Sequence, residues 1–432
     1  MSTVCVHGLG YIGLPTATML ANYDHVVSGY DVDPEVRSQL RNGEIHFEEP
    51  GLRAFVTQAL ESGQLEITDE VTAAKYHIVC VPTPFDESSK AADLEYVLSA
   101  GRAIVDHLRR GDTVILESTV PPGTTTEVLG PVLEESGLSA GNDFSLAHCP
   151  ETVLPGSVIS ELRENNRIVG GVNAVSAESA VRLYDSFVDG EIRTAANATM
   201  AEFVKLIQNT FRDVNIALAN EIARLAGDYG IDSREAIELA NGHPRVDILQ
   251  PGPGVGGHCL PIDPWFLGQG SDELDLIPTA RAVNDGMVEY VIGLLREELE
   301  GLSGRKIAVL GVAYKGNVGD TRMSPGLRLA SELQHAEPKG APMTADGGTD
   351  VVSPPAVSIH DPHVVDSTLD LSDIETATAD ADAVVVATDH DEFESLDPEA
   401  FRTRMAGTTL IDTKGVLRAS RWRRAGFDVR RI

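Results

Sequence analysis

The stretch TVCVHGLGYIGLPTATMLANYDHVVSGYDVD, Thr3–Asp33, decides the fold. A β-rich run ends at Gly8, Gly10 and Gly13 follow in a G-x-G-x-x-G pattern, a helical run succeeds them, and a second apolar strand closes on Asp31, 18 residues after Gly13. Three glycines between strand and helix allow a tight turn, close approach of backbone to a pyrophosphate, and tight helix packing, while the helix N-terminus faces negative charge. An acid at the end of the second strand accepts ribose hydroxyls and repels a 2′-phosphate, so Asp31 favours NAD over NADP. Further strands are expected in KYHIVCVPTPFD and DTVILESTVPPG. Their C-terminal ends, Pro82 and Thr83, then Ser118 and Thr119, fall where an open α/β sheet binds its ligand.

The chain has 432 residues, enough for two or three domains. Asp and Glu number 66 against 34 Lys and Arg, a formal charge of −32 spread along the whole chain. Such a charge repels nucleic acid and anionic membranes, so neither is expected as a partner. Its even distribution reads as the surface of a protein from a salt-rich cytoplasm; an acidic binding face is the alternative. The apolar runs are of strand length, none approaching the ~20 residues of a membrane span, and the opening residues lack the pattern of a secretory signal. A cytoplasmic enzyme is the expectation.

Four cysteines, at 5, 80, 149 and 259, lie in separate elements without C-x-x-C or paired histidine spacing, which argues against a zinc site or disulfide framework. Cys5, Cys80 and Cys149 read as small buried hydrophobes. Cys259 differs. It sits in GPGVGGHCLPIDPW, Gly252–Trp265, where the glycine density implies positive φ or a close backbone approach. His258 beside it has no partners at ligand spacing, so no metal is expected.

From Ala198 to Tyr229 the pattern becomes one long helix of about 45 Å, apolar around much of its circumference. Lys205, Asn209 and Asp213 recur at i, i+4, i+8 and form one polar stripe on it. Such a rod is expected to be buried between domains or subunits. After EELEGLSG a second α/β unit begins, RKIAVLGVAYKGNVGDTRMSPGLRLASEL, with later strands AVSIHDP, ADAVVVATD and GTTLIDT; it is a weak internal repeat of the first. Its first loop carries Lys315 and Arg322 in place of three glycines, suiting phosphates held by side-chain charge. The segment 336–356 reads as a mobile surface loop. The fold expected is therefore α/β, with two Rossmann-like doubly wound parallel sheets joined by a helical core: 1–195 for the dinucleotide, 196–300 for the helices and dimerisation, 301–432 for the second ligand.

The ordered motifs G-x-G-Y-x-G-L-P, V-P-T-P, E-S-T-V-P-P-G-T-T, C-P-E, K-L-x-x-N-x-F-R-D-V-N-I-A, P-G-x-G-x-G-G-H-C and K-G-N-x-x-D-x-R-x-S-P resemble the UDP-glucose/GDP-mannose dehydrogenase family from Val4 to about Leu417. Within it, NGHPRVDILQPGPGVGGHCLPIDPWF is most similar to the branch acting on UDP-N-acetylmannosamine. The resemblance implies four-electron oxidation of a sugar CH2OH to carboxylate with two NAD, on a UDP-N-acetylhexosamine; UDP-N-acetylglucosamine and UDP-glucose are alternatives, and a non-catalytic nucleotide-sugar sensor a remote one. It implies that Cys259 is the nucleophile that forms a thiohemiacetal and then a thioester. Lys205 and Asn209 would flank the oxyanion, Asp263 would activate water, and Glu151 and Thr119 would belong to the same proton network.

By the same resemblance Gly8, Gly10, Tyr11, Ile12, Gly13, Asp31, Arg37, Pro82, Thr83, Thr119 and Arg322 contact the cofactor. The sugar nucleotide would meet Glu151 to Leu154, Lys205, Asn209, Arg245, the segment Leu249 to Gly257 with Gly256, and Lys315. The helix 198–229 would pair two subunits. Two positions depart from the family pattern: Ile262 stands where a lysine is usual, favouring a 2-N-acetylated sugar, and Thr152 stands where C-P-E is usually followed by arginine.

Overall fold

A computed structural model describes residues 1–47, 49–336 and 353–432; most of the segment read above as a mobile loop lies outside the described residues. The chain folds as two compact units, Met1–Gln208 with Asp263–Asp272, and Asn209–Ile262 with Glu273–Ile432. The residues expected as a separate helical middle divide between them.

The first unit is built on an eight-stranded sheet: β1 (Thr3–His7), β2 (Val26–Tyr30), β3 (Leu65–Thr68), β4 (Tyr76–Val79), β5 (Thr113–Leu116), β6 (Ser145–His148), β7 (Arg167–Gly171) and β8 (Ile192–Thr194). The order across the sheet is β8-β7-β6-β5-β4-β1-β2-β3. Every pairing is parallel except β6 with β7, where the expected all-parallel sheet gives way to one antiparallel ladder. Alternation along β1 sends Val4 and Val6 to one buried cluster and Cys5 to another, because successive side chains point to opposite faces. Both faces are covered, so the strands read as continuous apolar runs. Strand order reverses between β1 and β4, and the C-terminal ends of these strands carry Gly8 and Cys80 to Thr83.

The second unit carries a five-stranded, wholly parallel sheet of β9 (Lys306–Leu310), β10 (Ala356–His360), β11 (Ala383–Val386), β12 (Thr409–Asp412) and β13 (Asp428–Arg431), ordered β10-β9-β11-β12-β13. The internal repeat is visible in its backbone. Gly8 and Gly311 both end a first strand at φ 87° and 91°. A Cβ on Gly13 would lie 1.9 Å from the Gly8 carbonyl oxygen, and one on Gly326 2.3 Å from that of Gly311. Asp31 accepts the N–H of Leu9 at 2.8 Å and Asp361 that of Val312 at 2.7 Å. The second copy inserts the loop bearing Lys315 and Arg322 between its two glycines.

Helix α1 (Gly13–Asn22) and α2 (Ala174–Tyr184) pack on the first sheet. The long helix α3 runs from Ala198 to Asp228, 31 residues. Its buried side mixes small or apolar residues, Ala201, Leu206, Ala217 and Ala219 among them, with polar ones. Asn209, Asp213 and Asn220 are buried, whereas Met200, Phe203, Ile207, Phe211, Leu218, Leu225 and Tyr229 are each 42–79% exposed. At ~100° per residue the six of them that lie within the helix, Met200 to Leu225, fall in one stripe about 80° wide. The polar line is no solvated strip.

Candidate active site

The dinucleotide loop has the geometry its glycines require. Gly8 takes a left-handed φ and a Cβ there would meet the Cys80 carbonyl at 2.7 Å, while a Cβ on Gly10 would meet nothing within 4 Å. The first and third glycines are therefore locked by protein, and the second leaves backbone open to a ligand. Asp31 divides its oxygens between the N–H groups of Leu9, 2.8 Å, and Asp33, 2.9 Å, which points the carboxylate across the end of β2. Arg37 donates to the Asp31 carbonyl at 2.5 Å and pairs with Asp69 at 3.2 Å. Tyr11 donates its hydroxyl to Glu49, whose carboxylate also takes the N–H groups of Gly156 and Val158, both 2.9 Å. Ile12 immediately precedes α1. Thr83 donates to the Thr119 carbonyl at 2.8 Å, joining the loops after β4 and β5, and Pro82 is exposed beside them. These residues fit NAD: an open glycine at a helix N-terminus, an acid at the ribose position, and two loops at the strand-order reversal.

Beneath those loops lies a buried polar network. Glu151 follows β6, with one carboxylate oxygen accepting the N–H groups of Thr152 (2.6 Å) and Val153 (3.1 Å) and the other held by Arg167 at 3.0 Å. Glu117, at the end of β5, accepts from Tyr184 at 2.6 Å and Cys80 at 3.0 Å, and burial pushes its ionisation upward. Burial also pushes the Cys149 thiol up to about 12, and His148 down to about 3. Leu154 is exposed. On α3, Glu202 accepts the N–H groups of Gly123 (2.6 Å) and Thr125 (2.7 Å), fastening the helix start to the P-P-G-T-T turn. Lys205, one turn later, is half-buried. Asp263 is buried at the start of α4 (Asp263–Gly268), which is anchored by Gln269 on the N–H of Ala92 at 2.9 Å and by Phe266 against Phe85.

The remaining candidates belong to the second unit. Asn209 is buried; one turn on, Asp213 pairs with Arg281 of α5 (Leu276–Asp285) at 2.5 Å and accepts from Asn284 at 2.9 Å. Desolvation raises the Asp213 carboxyl despite the guanidinium. The same helix grips the loop bearing Leu249. Asn215 bonds both the Asp247 carbonyl (2.7 Å) and the Leu249 N–H (3.0 Å), and Asn220 accepts from Gly252 N–H at 2.8 Å. Arg245 and Lys315 are exposed, as is Cys259.

Gly256 and Gly257 have an intramolecular reason to be glycine. A Cβ on Gly256 would lie 2.6 Å from the Met323 carbonyl, and Gly257, at φ 83°, would meet the Tyr314 ring at 2.8 Å. The loop is thus pressed on the Tyr314–Arg322 segment, and the Gly257 N–H donates to the Arg322 carbonyl at 3.0 Å. Arg322 itself is held by Asp320, with Nε 2.9 Å from Oδ2. From Cys259 the chain turns, Ile262 N–H to Cys259 carbonyl at 3.0 Å, into Asp263.

Sequence reasoning missed Glu117, Arg167 and Tyr314. A glutamate ending the apolar run TVIL and an arginine opening RIVGG were the available signals, since charge inside a strand pattern needs a buried partner. Among the described residues two groups have ligand atoms near enough to hold a metal ion, Cys5 with His7 and His77, and His363 with His390 and Glu392. Neither contains a candidate site residue.

Together the fold and the glycine loop define a dinucleotide-binding dehydrogenase with a second nucleotide-type α/β unit. The chain belongs to the UDP-glucose/GDP-mannose dehydrogenase family, whose NAD binding domain matches residues 2–188, central domain 199–286 and UDP binding domain 308–419. It is an NAD-dependent nucleotide-sugar dehydrogenase. It is 42% identical over 435 residues to a UDP-N-acetyl-D-mannosamine dehydrogenase of Methanococcus maripaludis, covering 99% of this chain and 96% of that protein. An NDP-N-acetyl-D-galactosaminuronic acid dehydrogenase of Ralstonia nicotianae is 40% identical over 97% of both chains. The solved UDP-D-ManNAc dehydrogenase of Pyrococcus horikoshii superposes with a TM-score of 0.90 at 43% identity, covering 100% of this chain and 99% of that one.

Proposed function

We propose that this protein oxidises the C6 alcohol of UDP-N-acetyl-D-mannosamine to the carboxylate, with one water consumed and two NAD reduced per sugar. The observation that carries the substrate is the end-to-end similarity to enzymes named for that sugar, together with Ile262 in place of a cation beside Asp263. NAD, when bound, supplies the hydride acceptor. Cys259, exposed on a glycine-shaped loop, attacks the aldehyde carbon; Lys205 and Asn209, one turn apart on α3, donate to the oxygen that gains charge. The thiohemiacetal carbon then gives up the second hydride and becomes a thioester, whose hydrolysis breaks the C–S bond as a C–O bond forms, with the water proton passing to Asp263 or Glu151 and the thiolate of Cys259 released. Thr119 joins that network. Arg245, Leu249, Lys315 and the 256–257 glycines hold the sugar nucleotide, and Arg322 exchanges Asp320 for the cofactor.

The exposed apolar stripe of α3 supports a homodimer, since such a stripe on a helix needs a partner. The distributed acidic surface supports a salt-rich cytoplasm. No described helix is long and apolar enough to cross a membrane. The test is NADH formation in molar KCl across UDP-N-acetylmannosamine, UDP-N-acetylglucosamine, UDP-N-acetylgalactosamine and UDP-glucose. Two NADH per UDP-N-acetylmannosamine is expected. Turnover of UDP-glucose with none of the N-acetyl sugars overturns the reading, and preference for the galacto sugar moves the protein toward its Ralstonia relative.

A further inference from the structure

Two carboxylates share one guanidinium inside the first unit. Arg167, at the start of β7, places Nη2 3.0 Å from Glu151 and Nη1 3.8 Å from Glu117, and all three side chains are at most 8% exposed. The guanidinium lies over the ring of Tyr184, 4.9 Å from its centroid, and of Phe187 at 5.6 Å, so it has one orientation. Fastening an arginine in this core needs a single acid. The second has its own donors, Tyr184 at 2.6 Å, Cys80 at 3.0 Å and Thr16 at 3.3 Å, which hold it in place independently of Glu151. The titratable groups packed around the trio are Cys80 after β4, Cys149 after β6 and Tyr184 of α2.

We infer that Arg167 is the positioning residue for Glu151, and that Glu117 draws off part of its charge so that Glu151, though fixed, still takes a proton when water cleaves the thioester. This deepens the functional reading above and rests on it. With both Glu151 oxygens aligned by Arg167 and by the Thr152 and Val153 amides, the carboxylate presents its remaining lone pairs in one direction. Without Glu117 the full guanidinium charge would fall on Glu151 and weaken it as a proton acceptor.

The experiment is the pH profile of kcat with UDP-N-acetylmannosamine and NAD in molar KCl, together with intact-protein mass to detect sugar held on Cys259. Arg167→Gln removes the cation beside Glu151, and its acidic limb is expected to move up by about 1–3 pH units. Glu117→Gln removes the competing anion, and its limb is expected to move down by about one unit, with thioester accumulating near neutral pH. Arg167→Lys restores part of the wild-type profile. Opposite signs are the signature, because a purely packing role would lower kcat or melting temperature without moving the limb. Should Arg167→Gln not fold, Tyr184→Phe, which strips a donor from Glu117 and so favours its neutral form, must move the limb in the same direction as Glu117→Gln. An unmoved limb in folded Glu117→Gln, or shifts of the same sign in both single variants, overturns the inference. If wild-type protein reduces no NAD with any UDP sugar, the functional reading fails instead.

Discussion

Charging the exposed stripe of α3 tests the quaternary proposal. Phe211 and Leu218 are 54% and 50% exposed and lie in the middle of the stripe. Covering the exposed half of such a side chain is worth about 1 kcal/mol, half of the ~1.5–3 for full burial. In a twofold dimer each position occurs twice, so Phe211→Asp with Leu218→Asp removes about 4 kcal/mol of burial. That is roughly a thousandfold in Kd, before the added cost of carboxylates in an apolar seam. Because both side chains face outward from the protomer, its fold and melting cooperativity are expected to persist. Light scattering on a dilution series in 2–3 M KCl, about the salt where Debye screening is already complete, separates dimer from monomer. A wild-type monomer at tens of micromolar, or a double variant that remains dimeric there, refutes the reasoning.

Four further outcomes follow from the site and surface. Asp31→Ala narrows the preference for NAD over NADP by relieving repulsion of the 2′-phosphate, measured as the ratio of kcat/KM values; a wild-type enzyme indifferent to the two cofactors contradicts the assignment. Brief iodoacetamide treatment of native protein labels Cys259 ahead of Cys5, Cys80 and Cys149, as read by peptide mass, because Cys259 is exposed while burial raises the thiols of Cys80 and Cys149. Cys259→Ala abolishes two-NADH turnover by several orders of magnitude yet still binds NAD, and near-normal turnover in that variant eliminates the covalent route. Raising KCl from about 0.1 M to a few molar increases melting temperature and activity by screening the −32 charge; equal values at both ends refute a salt-adapted surface.

Local chemistry was readable from the chain alone wherever the signal lay in adjacent residues. Gly8, Gly10, Gly13 and Asp31 announce a dinucleotide loop because a tight turn and a helix start impose those residue types at fixed spacing. The strand runs announce an α/β sheet because both faces are buried, and the helix expected from Ala198 to Tyr229 ends one residue earlier, at Asp228. Cys259 stood out by its glycines. What those glycines are packed against did not, since Tyr314 and Met323 reach Gly256 and Gly257 from a loop more than fifty residues away in sequence. Periodicity likewise located the Lys205, Asn209, Asp213 stripe but not which side of α3 faces inward: partners such as Arg281, Asn284 and the 247–252 loop, remote along the chain, bury the polar line and leave the apolar one outside. The Glu117–Arg167–Glu151 trio is the clearest division. Its members come from three different elements of one sheet, and each alone reads as an ordinary charge at a strand end. Only tertiary packing removes water from all three together, and that desolvation turns separate charges into one electrostatic unit.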